Sequence, residues 1–116
     1  MHKKVLDIGN YTFIGHGGGG FAQVDADFER WSKTIEPRIK GRKAVLITHA
    51  PFYHTKLDFL HNRFLGNKSY ASFIKRHINV VLGIAGDFHE TAKKEDKINN
   101  AHVINPGNSG MLIRLP

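Results

Sequence analysis

Two short apolar runs constrain this chain more than any other feature. Ala44-Val45-Leu46-Ile47-Thr48 and Val80-Val81-Leu82-Gly83-Ile84-Ala85 show no polar alternation, which is the pattern of strands buried on both faces. Between them lies a segment from Ser69 with Tyr70, Phe73, Ile74 and His77 at helical spacing, so that they share one side of a helix. Strand, helix and strand in that order predict a βαβ arrangement within a mixed sheet covered by helices on one face.

The rest of the chain extends this plan. Residues 4–8 and 11–15 flank Gly9-Asn10, the form of two strands joined by a tight turn. Gly17-Gly18-Gly19-Gly20 must be loop, because four glycines lose too much backbone freedom in a regular element. Asp25 or Asp27 is placed to cap a helix running to about Ile39, with Phe28, Trp31, Ile35 and Ile39 along one side. Pro37 is expected to bend or shorten its end. From His49 to Asn67 the sequence reads as one long loop rich in aromatic residues and histidines. Loops of that length in a compact domain tend to be functional. Strands at about 101–104 and 110–115 follow, separated by Asn105-Pro106-Gly107-Asn108. The expected fold is α/β, ordered β-β-α-β-loop-α-β-β-β, in a single domain over residues 1–116.

Composition removes several function classes. At 116 residues, 41% hydrophobic and 23% charged, the chain has the profile of one globular domain. It has no cysteine, which excludes disulfides and thiolate metal sites. No apolar run approaches the roughly 20 residues of a membrane span. Met1-His2-Lys3-Lys4 does not open a secretory signal, so a cytoplasmic location is expected. The net charge of +7 favours phosphate-bearing partners. The basic residues are spread along the chain, however, without a nucleic-acid-binding motif, so nucleic acid is not the expected main partner. The glycine run is not followed by Lys-Ser/Thr, which sets a P-loop aside.

Both polar segments with chemical potential begin where the two buried strands end, the place where open α/β sheets hold ligands. One is His49, followed by Ala50-Pro51, with the proline holding Ala50 extended. The other is Gly86-Asp87-Phe88-His89-Glu90. Asp87 and His89 are two residues apart and in extended chain point the same way, so both can face one ion, while Glu90 points elsewhere. The competing reading makes His49 structural, Asp87 a turn cap and His89 a surface residue. Two imidazoles and a carboxylate suit manganese, iron or zinc. The chain has eight histidines, and His16, His49, His54, His61 and His89 all fall in expected loops or strand ends. From the residues alone, the answer is a metal-binding protein.

A longer pattern sharpens it. The strings LITHAPFYHTKLD, GNKSYASFIKRH and GIAGDFHETAKKEDKINNAHVINPGNSG resemble the second half of calcineurin-like metallophosphoesterases, in order and spacing, over residues 44–110. YTFIGHGGGG is similar to the strand and glycine loop that precede that region. The resemblance implies half of a four-layer α/β/β/α sandwich, with two metal ions at the sheet ends that clamp a phosphate ester and supply the nucleophile. It makes His49 a ligand of the second metal and His89 a ligand of the first. Asp87 stands where the family has a histidine ligand of the second metal, and its shorter, charged side chain implies a weaker or altered site. The family's N-terminal D-x-H, bridging G-D and G-N-H-E are absent.

Alone, the chain is therefore expected to lack a complete dinuclear centre and catalytic residues of its own, and to bind manganese, iron or zinc weakly or not at all. A phosphate-ester substrate is implied; the chain reads first as a fragment of a longer phosphoesterase that is inactive alone, and second as a half completed by a separate polypeptide or a symmetric partner. Self-association through an exposed sheet edge or face is expected. The alternative is a non-catalytic binding or scaffold module for a phosphate-bearing or protein partner.

Overall fold

A computed structural model describes residues 2–17, 23–86, 89–107 and 110–115, with the His89 side chain excepted. The fold is α/β. Strands β1 (Lys4–Ile8) and β2 (Tyr11–His16) form an antiparallel hairpin, with Lys4 opposite Gly15. Gly9 turns it at a φ of +58°, a conformation that glycine reaches without a Cβ clash. Helix α1 (Ala26–Ile39) follows, then β3 (Lys43–Thr48), the two-residue strands β4 (Phe59–Leu60) and β5 (Arg63–Phe64), helix α2 (Lys68–Arg76), β6 (Val80–Ala85), β7 (Glu95–Ile98) and β8 (Ala101–Ile104).

Six of these strands make one sheet in the order β1-β2-β3-β6-β8-β7. The four inner strands run parallel, and β1 and β7 pair antiparallel at the margins. Both helices cover one face, where Phe28, Ile35, Ile39, Tyr70, Phe73 and Ile74 pack with Ile14 and Leu46. On the other face Val45, Leu82 and Ile104 are buried beneath half-exposed Tyr11, Phe13, Ile47 and Ile84.

The helix starts follow side-chain capping. Of the two candidate caps for α1, Asp25 serves, its Oδ1 accepting the Phe28 N–H at 3.0 Å. Pro37 lies in the last turn and does not end the helix before Ile39. The cap of α2 is Asn67, two residues ahead of the expected start, accepting the Tyr70 N–H at 2.9 Å. Ser69 has another role. Its hydroxyl donates to Glu29 Oε2 at 2.6 Å and accepts the Asp25 N–H at 2.8 Å, joining the two helices at their N-termini. Replacing Asn67 with alanine is expected to destabilise the fold by about 1 kcal/mol, measured as a lower urea midpoint at unchanged slope.

Three expectations need correction. The long loop contains the β4–β5 hairpin, turned by His61 and Asn62 at φ values of 51° and 62°. Both are positive, as a type I′ turn requires. The charged segment Glu95-Asp96-Lys97 is a strand, β7, paired with β8. Residues 110–115 form no strand. Met111, Ile113 and Leu115 instead lie against the half-exposed apolar face, so their hydrophobicity is used in packing without a hydrogen-bonded ladder.

Candidate functional site

The four parallel strands finish at one edge of the sheet. His16 at the end of β2 is level with Thr48 in β3, Thr48 with Ala85 in β6, and Ile84 with Ile104 in β8. His49, exposed to solvent, is the first residue beyond β3. Its carbonyl accepts the N–H of Gly86 at 3.3 Å. The backbone thus ties His49 to the residue that precedes Asp87 in the chain. Asp87 itself and the side chain of His89 lie outside the described residues, and with them the expected meeting of the three ligands. The His89 backbone opens a 3-10 turn, His89–Thr91.

That turn is fixed to its surroundings. The Thr91 hydroxyl donates to the Leu57 carbonyl at 2.7 Å and accepts from Asn105 Nδ2 at 3.1 Å. Asn105 Oδ1 takes the Gly107 N–H at 3.1 Å, closing the Asn-Pro-Gly corner beyond β8. The segment after β3 is equally ordered. Asp58, fully buried, accepts N–H bonds from Thr55 at 2.9 Å, His54 at 3.0 Å and Gly66 at 2.8 Å. No cation pairs with it among the described residues; backbone dipoles satisfy its charge. A cleft of about 430 Å³ opens between this loop and the 3-10 turn, walled by His54, Lys56, Phe59, Phe64, Glu90 and Lys94. A smaller cavity of about 200 Å³ lies at the strand ends between His16, Ile47 and His49.

A second group of ligand-type side chains went unrecognised in the sequence. His16 is buried and packs against Phe28, Trp31 and Tyr70, with ring centroids 5.0, 5.6 and 5.7 Å away. Its Nδ1 meets the Tyr70 hydroxyl at 2.7 Å, and its Nε2 faces Asp27 Oδ2 at 3.3 Å. His2 lies alongside, 4.7 Å between ring centroids, its Nδ1 accepting the Gly17 N–H at 3.1 Å. Burial holds the His16 imidazole below its ordinary pKa, against the pull of Asp27 and Asp25. The Asp27 carboxyl is lowered by hydrogen bonds from Lys3 and then His16. Burial, followed by the charges of Asp25 and Asp27, raises the Tyr70 hydroxyl. The hairpin register returns the residues before Lys4 to the end of β2, but nothing local in the sequence points to the pairing of His2 with His16 or to Asp27.

No protein-family model and no curated protein matches the chain. Solved structures do share its fold. One crystal structure superposes with a TM-score of 0.71 at 20% identity, over 92% of this chain and 45% of the other. A Staphylococcus aureus protein assigned as a 5′-nucleotidase, solved with α-ketoglutarate, superposes with a TM-score of 0.56 at 17% identity, over 92% of this chain and 24% of its own length. This chain therefore spans less than half of either protein. No helix among the described residues is long and apolar enough to cross a membrane.

Proposed function

We propose that this chain is the C-terminal half of a metal-dependent phosphoesterase domain of the calcineurin-like kind. The carrying observation is the common edge of β2, β3, β6 and β8, where His49 is bonded through its backbone to Gly86, just before Asp87. The fold shared with larger proteins over 92% of this chain but only 45% and 24% of theirs supports the reading. So does the apolar second face around Phe13, Ile47 and Ile84, which the segment 110–115 covers in part. In this proposal another layer of sheet packs there and brings the remaining ligands.

The donor set fits a partial centre. His49, Asp87 and His89 offer two imidazoles and a carboxylate, which suit manganese, iron or zinc. Divalent ions bound at this edge supply Lewis acidity toward a phosphoryl oxygen. The chain's own contribution is to position these ligands, and the net charge of +7 attracts an anionic ester. A phosphate mono- or diester is the substrate class, and the cytoplasm the expected compartment.

The test is a titration with manganese followed by NMR. Paramagnetic broadening is expected at the amides of His49 and Gly86 through His89, with millimolar affinity, and no turnover of bis-p-nitrophenyl phosphate by the chain alone. Turnover that disappears in His49→Ala would show a complete site and overturn the half-domain reading. Broadening that spares residues 49 and 86–89 would remove the metal edge.

A second reading, a non-catalytic binding module, is favoured by the 430 Å³ cleft beside this edge. Lys56 and Lys94 offer charge to an anion, and Phe59 and Phe64 offer aromatic surface. Saturable binding of a phosphorylated aromatic compound by the isolated chain, lost in Lys56→Ala, favours this module.

A further inference from the structure

The cluster at the end of β2 has the makings of a site in its own right. The ligand atoms of His2, His16 and Asp27 all lie within 4.8 Å of one another. They come from three places: two residues ahead of β1, the last residue of β2 and the first turn of α1. We propose that these three side chains bind a single divalent transition-metal ion, using none of the ligands assigned to the His49 site.

Hydrogen bonding around His16 is compatible with this in one of its two tautomers. The Tyr70 hydroxyl lies 2.7 Å from His16 Nδ1 and 3.4 Å from the His16 carbonyl oxygen, and its proton can go to either. With its proton on the carbonyl, the hydroxyl accepts from Nδ1–H. That tautomer turns the Nε2 lone pair toward Asp27 Oδ2 at 3.3 Å. Two acceptors then face each other, and a cation belongs with them. A ligating histidine anchored through its other ring nitrogen is the usual arrangement in metal sites. The opposite tautomer, with Tyr70 donating to Nδ1 and Nε2–H to Asp27, closes the network without an ion.

Asp25 gives an independent indication. It is 6% exposed, and its Oδ2 has no hydrogen-bond partner among the described residues. That oxygen lies 3.9 Å from His16 Nδ1. A buried carboxylate oxygen left without a partner is costly. Two carboxylates thus flank a buried imidazole. Lys3, at 2.8 Å from Asp27 Oδ1, offsets one of them. A dipositive ion held by Asp27 Oδ2 and the imidazoles offsets the rest.

The ligands select the class of ion. Two nitrogens and one oxygen favour zinc or cobalt over magnesium or calcium, which prefer all-oxygen shells. With bonds of about 2.1 Å in a tetrahedral site, neighbouring ligand atoms must close to roughly 3.4 Å. The exposed His2 provides that movement, giving up its bond from Gly17 N–H as its ring takes the ion.

Cobalt(II) is the probe, followed by its visible ligand-field absorption and checked by zinc calorimetry on the full chain. His16 is embedded among aromatic rings, so variants there risk unfolding. The informative ones are His2→Ala and Asp27→Asn, with the fold verified by circular dichroism and His49→Ala in parallel. One equivalent is expected to bind, weakened about tenfold or more by either variant and unaffected in His49→Ala. Absence of cobalt and zinc binding, or equal affinity in parent and both variants, overturns the site. Loss in His49→Ala alone assigns the ion to the other edge. Failure of this site leaves the phosphoesterase reading standing, because the two share no ligand.

Discussion

Asp58→Ala is expected to destabilise the protein by about 3 kcal/mol or more, since a buried amide left without an acceptor costs roughly 1–3 kcal/mol. Asp58 has no accessible surface and takes the N–H groups of His54, Thr55 and Gly66. Alanine orphans all three at once. The strain is concentrated there, because His54 has a φ of +63° and depends on its bond to hold a conformation that non-glycine residues disfavour. At an m-value of about 1.5 kcal/mol per molar, the urea midpoint should fall by about 2 M. Asp58→Asn keeps one oxygen and turns an NH2 group toward at least one of the amides, so an intermediate loss is expected. Hydrogen exchange would localise the damage, with amides 54, 55 and 66 losing protection before those of β3 and β6. A loss below about 1 kcal/mol would mean that water or backbone carbonyls replace the carboxylate, and that Asp58 does not organise the loop.

How far the sequence revealed this molecule depended on whether each signal was local. The uninterrupted apolar runs of β3 and β6 were legible because strands buried on both faces have no polar residue to accommodate. The first hairpin was legible because Gly9-Asn10 states its turn chemistry openly. The β4–β5 hairpin turns on His61-Asn62, a pair without glycine, and was hidden in a segment that reads as loop. Strand β7 was missed because Glu95, Asp96 and Lys97 look like a solvated turn; at the sheet margin, charged residues are also what keeps an edge from pairing with other chains. The segment 110–115 misled in the other direction. Met111, Ile113 and Leu115 are apolar, but the flanks of β6 and β8 are already paired, leaving the open sheet face as their place to pack. At the site, position along the chain placed His49 and the residue before Asp87 at one edge, since strand ends in a parallel sheet are set by register. The His2–His16–Asp27 group depends on three contacts distant in sequence, and no spacing rule announces it. Asp58 was visible only within the T-K-L-D string; its role as acceptor for three amides belongs to the folded loop.

Gly83→Ala tests how the loop is seated on the sheet, and a loss of about 2–3 kcal/mol is expected from overpacking. A Cβ at this position would stand 2.9 Å from two ring carbons of Phe52 and 3.1 Å from Val103 Cγ1. Phe52 is fully buried, and its carbonyl accepts from the Thr55 hydroxyl at 2.9 Å, so the ring cannot withdraw without moving the loop that Asp58 organises. Backbone freedom is not the reason for glycine here, since Gly83 has no positive φ; the space taken by the aromatic ring is. If so, a smaller side chain at position 52 should relieve the clash. Phe52→Leu alone is expected to cost about 1–2 kcal/mol through the space it leaves. The double variant should then be more stable than the sum of the single changes by about 1 kcal/mol, a coupling expected only of residues in contact. Urea denaturation of the four proteins gives the cycle directly. Strict additivity, or a Gly83→Ala variant within about 0.5 kcal/mol of the parent, would show that Phe52 yields freely, and that the loop beside His49 is held by Asp58 rather than by its seat on β6.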